Sequence, residues 1–171
     1  MEEATHIIMT GGTIDSYYDA RTDTAVPRSE SVIPGYFRNM RLYGKIDFTQ
    51  VCMKDSRQLT SKDRSKILRA IEKSKSRKII VTHGTYTMPD TARFLEKKLK
   101  RRDQAIILTG SMIPMDGFVF SDGPFNLGFA LSQVRMLKPG VYVCMNGRIF
   151  APEDVIKSLY EGRFSSILGE K

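Results

Sequence analysis

Short stretches of consecutive apolar residues recur along the chain, and segments with helical periodicity separate them. The five stretches lie at residues 7–9, 51–53, 79–81, 105–108 and 141–145. Continuous apolar runs rich in β-branched residues are typical of parallel strands that are buried on both faces of a sheet. The pattern therefore predicts five strands of a central, mainly parallel sheet.

Capping signatures mark the starts of two helices between these stretches. Residues 60–63 have the sequence of a capping box, and Ile67, Leu68 and Ile71 follow it as an apolar stripe at helical spacing. Residues 87–90 repeat the same signature, and their proline is tolerated because it falls in the first turn of a helix. These segments predict helices after residue 60 and after residue 87.

The segments outside these patterns complete the set of predicted elements. Residues 122–124 open another helix, and a shorter helix is expected to begin near Glu153. A helix is also expected within residues 29–40, with a break at its Pro-Gly pair. Residues 17–27 are polar and without periodicity, and they follow a glycine-rich turn, so we interpret them as a long, mobile loop.

The alternation of strands and helices indicates the fold class. Strands that follow one another through intervening helices form βαβ units, whose crossovers are right-handed and place helices on both faces of the sheet. The prediction is an α/β three-layer sandwich with a mainly parallel, Rossmann-like sheet. At 171 residues the chain has the length of one domain, which we expect to span residues 1–171.

The chain is basic, because 27 Lys and Arg residues against 19 Asp and Glu residues give a formal net charge of +8. The basic residues concentrate in residues 62–78 and 97–102, on predicted helices. No aromatic residues interleave with them to stack on bases, so we interpret both clusters as solvated helix faces and expect no nucleic-acid partner. No apolar run approaches the ~20 residues of a membrane span, so no membrane association is expected.

The cysteines and the N-terminus bear on the location of the protein. Cys52 and Cys144 each lie in a strand-like run, and two cysteines do not make a disulfide scaffold, so buried, reduced thiols are expected. The first residues are acidic and lack the basic start and the apolar stretch of a signal peptide. These features predict a cytoplasmic protein.

Candidate chemistry lies where three of the predicted strands end. Residues 10–13, 83–85 and 109–111 are clusters of glycine and small hydroxyl residues. Parallel sheets bind ligands outside the carboxyl ends of their strands, and glycine allows the backbone to approach a ligand closely. Residues 10–13 lack the spacing of a dinucleotide or phosphate-binding loop, and we interpret His83 as a hydrogen-bonded structural histidine. The pattern supports a small-ligand site and nothing more specific.

Four motifs carry a resemblance to a known family. They read T-G-G-T-I at residues 10–14, H-G-T-Y-T-M at 83–88, T-G-S-M-I-P at 109–114 and S-D-G-P-F-N-L at 121–127. Together they resemble the N-terminal domain of the L-asparaginase/glutaminase family of amidohydrolases, in the order that the family has them. The resemblance covers nearly the whole chain and does not include the C-terminal domain of that family.

The resemblance implies a set of functional residues. Thr13 takes the place of the nucleophilic threonine, Thr85 that of the second catalytic threonine, and Lys157 that of a lysine hydrogen-bonded to it. Ser56 matches a serine that holds the α-carboxylate of the substrate. The other residues that we expect at the substrate are Arg57, Gly12, Gly84, Tyr86 and Ser111. The expected reaction is the release of ammonia from a small amide such as L-asparagine, without a metal or another cofactor.

One position departs from the family pattern. Tyr86 stands where the family has an aspartate that pairs with the α-ammonium group of the substrate. Losing the partner of a buried ammonium group costs about 2–5 kcal/mol, so we expect an altered substrate choice. The alternative is a module without catalysis, which binds a small carboxylate or docks on another chain.

The partner expected besides a small amide or carboxylate is another protein chain. A first domain without its second leaves an apolar face that is a liability on a monomer. We therefore expect a homodimer, another homo-oligomer or a complex with a separate partner chain.

Overall fold

A six-stranded sheet with helices on both faces forms the body of the protein in a computed structural model that describes residues 3–169. The strands are β1 (Thr5–Gly11), β2 (Ser16–Asp19), β3 (Thr24–Pro27), β4 (Ile46–Lys54), β5 (Lys78–Thr82), β6 (Ala105–Thr109), β7 (Gly140–Met145), β8 (Arg148–Phe150), β9 (Val155–Ser158) and β10 (Arg163–Ser166). The helices are α1 (Ile33–Met40), α2 (Ser61–Lys73), α3 (Met88–Lys98) and α4 (Gly123–Met136).

The strand order in the sheet is β4-β1-β5-β6-β7-β8. The first five strands are parallel, and β8 pairs antiparallel with β7. The five strands that the apolar stretches predicted are therefore all present, as is the three-layer α/β architecture. In the register of the central strands, Ile7 lies opposite Ile80, which lies opposite Ile107.

Side-chain alternation along the strands divides the core into two layers. Ile8, Val81 and Leu108 pack with α2 and α3, whereas their neighbours in sequence pack with α1 and α4 on the opposite face. Because both faces are covered, these strands have no polar face, which explains their continuous apolar runs. Among the helices of residues 3–169, none has the length and apolar composition that a membrane span requires.

Two of the predicted helix starts differ in how they are capped. The Thr60–Asp63 capping box is present, since the Thr60 side chain accepts from the Asp63 amide and the Asp63 carboxylate accepts from the Thr60 amide. The second signature does not cap α3. Its Thr87 hydroxyl instead donates to the carbonyl oxygen of Ser56, 2.9 Å away, and so ties α3 to the loop after β4.

Residues 17–27 are not a loop, and this prediction was wrong. They lie in an antiparallel hairpin in which Tyr17 pairs with Val26 and Tyr18 with Ala25. Tertiary contacts hold the hairpin in place. The ring of Tyr18 packs edge-on against the ring of Phe118, and their centroids are 5.3 Å apart. A contact of this kind leaves no periodic signal in the sequence.

The helix predicted near Glu153 is also absent, because residues 151–154 form a turn that leads into β9. Val155 points into the core between α3 and the sheet, and Phe164 from the paired β10 is buried beside it. Arg93 of α3 donates a hydrogen bond to the Val155 carbonyl at 3.0 Å. The β9–β10 hairpin is thus docked on α3 and is not part of the main sheet.

Two smaller predictions were corrected in part. The helix expected within residues 29–40 is continuous from Ile33, because Pro34 falls in its first turn, where proline is tolerated. Both thiols are free, but only Cys144 is buried and Cys52 is half-buried. Burial raises the pKa of Cys144 to about 12, so this thiol stays protonated and unreactive.

Candidate active site

The loops that follow β1, β4 and β5 touch one another at the carboxyl edge of the sheet. A β-carbon on Gly12 would lie 2.3 Å from the α-carbon of Gly84, and one on Gly84 would lie 2.7 Å from the β-carbon of Ser56. Distances this short leave no room for any side chain at either glycine. The three loops therefore approach through bare backbone, which brings residues from distant parts of the chain together.

The loop after β1 turns sharply at two glycines. Gly11 and Gly12 have φ angles of +87° and +82°, in the left-handed region that favours glycine. The Gly12 amide donates to the Lys54 carbonyl at 2.9 Å, which fixes the loop on β4. Thr13 follows as the first residue of a short 3₁₀ turn, and its half-buried hydroxyl makes no hydrogen bond to any other residue among 3–169.

A buried carboxylate supports this turn, and sequence reasoning missed it. Asp15 accepts hydrogen bonds from the Ser31 hydroxyl at 2.9 Å and from the Val32 amide at 2.9 Å. Burial raises the pKa of Asp15, and the two hydrogen bonds oppose that effect. An acidic residue two positions after Thr13 was the available signal. Asp15 thereby links the turn that carries Thr13 to the start of α1.

A short polar contact of the site joins Thr85 and Lys157. The Nζ atom of Lys157 donates to the Oγ1 atom of Thr85 at 2.7 Å. Thr85 is buried and Lys157 is half-buried. Burial lowers the pKa of Lys157, nearby Arg57 lowers it further, and Asp55 opposes the shift. The neutral amine therefore forms at a lower pH than in an exposed lysine.

The β9–β10 hairpin holds Lys157 in this position. Val155 and Lys157 lie two residues apart on one strand and point to the same side, so burial of Val155 aims the lysine at the sheet edge. The amide of Phe164, the residue opposite Lys157, donates to the Oδ1 atom of Asn146 at 3.0 Å. The Asn146 amide in turn donates to Asn126 of α4 at 3.2 Å, which ties the hairpin to the body of the fold.

Tyr86 lies beside this pair with two cations over its ring. The Nζ atom of Lys157 is 3.8 Å from the ring centroid, and the Cζ atom of Arg57 is 4.7 Å from it. The Tyr86 side chain remains 49% exposed. Arg57 also forms a bidentate ion pair with Asp55, in which its Nε and Nη2 atoms donate to the two carboxylate oxygens at 3.0 and 2.7 Å. The mouth of the site thus consists of one aromatic ring and two basic groups.

Ser56 and Ser111 are two further predicted residues, and both are buried. The Ser56 hydroxyl accepts from the Thr87 amide at 3.4 Å, and its own proton has no acceptor within residues 3–169. Ser111 is fully buried, and its Oγ atom has no hydrogen-bond partner in the described part of the chain. Contacts therefore connect Ser56 with the residues around Thr85, but no hydrogen bond connects the Ser111 side chain with them.

His83 is buried beneath the same edge. Its Nδ1 atom lies 2.8 Å from the Gly84 carbonyl, which requires that Nδ1 carries the proton and donates. Burial lowers the pKa of His83 to about 4, so the ring is neutral at pH 7. Its other nitrogen, Nε2, has no hydrogen-bond partner among the described residues. This geometry agrees with the interpretation of His83 as a structural residue.

Comparison with known proteins identifies the family. The model of the family described as "Asparaginase, N-terminal" matches residues 5–163. The chain belongs to the asparaginase family. The glutaminase-asparaginase of Acinetobacter glutaminasificans is 31% identical over 164 residues, which cover 90% of this chain and 49% of that protein. The chain therefore spans about half the length of this curated asparaginase relative.

Solved asparaginase structures agree with this assignment. The probable cytoplasmic L-asparaginase from Campylobacter jejuni superimposes with a TM-score of 0.83 at 30% identity, over 96% of this chain and 53% of that one. The thermostable L-asparaginase from Thermococcus kodakarensis gives a TM-score of 0.80 at 30% identity, over 96% and 51% of the two chains. Both superpositions cover nearly all of this chain and about half of the other.

The contact between Gly12 and Gly84 predicts that a methyl group at Gly12 strongly destabilises this asparaginase domain. Gly12→Ala combines an unfavourable positive φ with a clash against backbone, and should lower the free energy of unfolding by about 2–5 kcal/mol. Gly162→Ala is the matched control, because Gly162 has a φ of +63° and open space where its β-carbon would lie. Its cost should be only about 1–2 kcal/mol. Urea denaturation measures both, and equal costs would show that the loops do not touch.

The buried, neutral His83 predicts a pH-dependent stability. Between about pH 6.5 and pH 4 the unfolded chain binds a proton at this residue and the folded chain does not, so stability falls as the pH is lowered. By pH 4 the loss is on the order of 3 kcal/mol. His83→Asn should flatten the curve of unfolding free energy against pH in this window. His6→Asn, at the other of the 2 histidines, should flatten the curve less, because His6 is only half-buried and burial lowers its pKa to a smaller extent. An unchanged slope in the His83 variant would contradict the assignment.

Proposed function

We propose that the protein is an asparaginase-like amidohydrolase that releases ammonia from a small amide, with Thr13 as the nucleophile. The observation that carries this proposal is the 2.7 Å hydrogen bond between Lys157 and Thr85 at the carboxyl edge of the sheet. A threonine hydroxyl is nearly inert unless a basic group or a charge activates it. Relatives that bear the names L-asparaginase and glutaminase-asparaginase support this reaction class.

In the first step, the Thr13 hydroxyl oxygen attacks the amide carbon. The new carbon–oxygen bond forms as the carbon–nitrogen bond breaks, and the proton lost by Thr13 leaves with the nitrogen as ammonia. The Thr13 hydroxyl is suited to this role, because it is not committed to another hydrogen bond within residues 3–169. Its place next to Gly12 brings it to the backbone of Gly84, one residue before Thr85.

In the second step, water cleaves the ester formed on Thr13. Thr85 and Lys157 act on this water: a lysine whose pKa is lowered is more often neutral, and a neutral amine accepts a proton through the threonine hydroxyl. The hydroxide adds to the acyl carbon, and Thr13 regains its proton as the carboxylic acid leaves. The net reaction consumes one amide and one water and produces one acid and one ammonia.

The other residues of the edge bind the substrate in this proposal. The free hydroxyl proton of Ser56 and the guanidinium of Arg57 suit a carboxylate on the substrate. Gly84 and Ser111 supply backbone amides, which can stabilise the oxyanion of the transition state. The Gly12 amide is bonded to the Lys54 carbonyl, so Gly12 serves the substrate by letting the loops approach each other closely. Tyr86 alters the choice of substrate, because it brings a ring rather than a charge to the mouth of the site.

Removal of the proposed catalytic groups should abolish ammonia release. Thr13→Ala and Thr85→Val should each lower the turnover of small amides by at least ~10²-fold, and Lys157→Met by about 10²–10⁴-fold. A coupled assay for ammonia, run with L-asparagine, L-glutamine and simple amides, measures this. The rate should also rise toward alkaline pH as the Lys157 amine loses its proton.

The matched controls are Ser132→Ala on the exposed side of α4 and Lys97→Met on α3. Both lie outside the site, so their activity should equal that of the unaltered protein. A folded protein that releases no ammonia from any of these amides would contradict the proposal. Saturable binding of a small carboxylate without turnover would instead identify a binding module.

We also propose that the protein is cytoplasmic and forms a homodimer. The two free thiols suit a reducing compartment. An apolar surface at residues 118–120 suits an interface, since Phe118 and Phe120 are almost completely exposed and surfaces of this kind favour association.

The homodimer predicts a particle of twice the monomer mass. Light scattering at tens of micromolar protein, roughly the range in which a modest interface closes, should detect it. Phe120→Ser should shift the protein to a monomer, whereas Leu42→Ser, at an exposed apolar residue beyond α1, should not. A monomer from the unaltered chain would contradict the proposal.

A further inference from the structure

The charges around Thr85 are unbalanced in favour of cations. Lys157 and Arg57 both lie over the ring of Tyr86, at 3.8 and 4.7 Å from its centroid. Asp55 is the acidic group whose charge acts on Lys157. Two positive charges and one negative charge therefore face this part of the site.

The carboxylate of Asp55 is already occupied. It accepts from the Nε atom of Arg57 at 3.0 Å, from its Nη2 atom at 2.7 Å and from its backbone amide at 2.8 Å. A fork-shaped ion pair of this kind uses both oxygens and fixes the geometry of the pair. Asp55 is thus the partner of Arg57 and offers little to a second cation.

Lys157 has no carboxylate of its own among residues 3–169. Its Nζ atom contacts the Thr85 hydroxyl at 2.7 Å and the face of Tyr86. A hydroxyl and an aromatic face stabilise an ammonium group only partly compared with a carboxylate. The lowered pKa of Lys157 agrees with this arrangement, since Arg57 and burial both disfavour its charge.

A ligand at this edge therefore meets a positive field and a neutral ring. A carboxylate on the ligand is attracted by Lys157 and Arg57, while an ammonium group is repelled by both. Asp55, the acidic group whose charge acts on Lys157, is already paired with Arg57. Tyr86 offers its ring face, which already holds two cations. The physical consequence is discrimination by the charge of the ligand.

Building on the proposed function, we infer that the site takes amides that carry a carboxylate and no ammonium group, which are the monoamides of dicarboxylic acids. Tyr86 is the specificity-determining residue in this inference, with Arg57 and Lys157 as the source of the field. Amino-acid amides such as L-asparagine are the disfavoured class.

Succinamate and L-asparagine test the inference directly, because they differ only in the α-ammonium group. The kcat/KM for ammonia release should be at least about tenfold higher with succinamate. Tyr86→Asp supplies the missing carboxylate and should reduce or invert this ratio, while Tyr86→Phe keeps the ring and should preserve it. Tyr43→Asp adds the same charge at a fully exposed tyrosine and should leave the ratio unchanged. A kcat/KM for L-asparagine equal to or above that for succinamate would overturn the inference.

Binding of the product acids separates this inference from the proposed reaction. Calorimetry should show succinate binding at least about tenfold more tightly than L-aspartate, with a preference that Tyr86→Asp weakens. If that preference is present and no amide is hydrolysed, the ligand class stands and the hydrolase proposal fails. If L-aspartate binds as tightly as succinate, or if neither binds, the inferred ligand class is wrong whatever the catalytic result.

Discussion

The candidate site of this protein depends on a close approach of backbone to backbone, with no side chain between them. The loops after β1 and β5 meet at Gly12 and Gly84, and the second of these also abuts Ser56 in the loop after β4. Each of the three loops carries a residue of the candidate site beside its contact point. The parallel sheet supplies the common edge, but without the two glycines the loops would stand further apart and Thr13 would lose its place near Thr85.

Burial at the same edge lowers the pKa of Lys157. Lys157 is half-buried beside Arg57, and both effects make the charge on its amine less favourable. The face of the neighbouring Tyr86 ring attracts both cations, but the ring has no negative charge that would neutralise them. A lysine in open solvent would keep its proton to a higher pH, so the docking of the β9–β10 hairpin lowers the pKa of the amine and also fixes its position.

The sequence predicted the strands whose burial leaves a local pattern of apolar residues. Strands covered on both faces must be apolar throughout, so all five central strands were predictable from runs such as residues 79–81. The hairpin of residues 17–27 was missed because the contact between Tyr18 and Phe118 holds it, and that contact joins positions 100 residues apart. The β9 strand was missed because its four residues are too short for alternation to be read.

In the candidate site, too, local patterns were predictable and contacts between distant residues were not. Glycine and hydroxyl residues at strand ends pointed to the edge of the sheet where the loops after β1, β4 and β5 meet. Thr85 and Lys157 are separated by 72 positions, and no spacing rule joins residues so far apart. Only the family resemblance paired them. The ion pair of Asp55 with Arg57 and the stacking of both cations on Tyr86 depend on side-chain geometry, which the sequence does not encode in any periodic form.

The β9–β10 hairpin has a consequence for inactivation. Its two strands bond only to each other in the ladder, and it joins the rest of the molecule through Val155, Phe164 and a few hydrogen bonds to α3 and Asn146. Structural units of this kind open at a smaller free energy than the whole fold. Mild heat or denaturant can therefore move the amine of Lys157 away from Thr85 while the sheet stays intact, so that this hydrogen bond is the first contact of the candidate site to break.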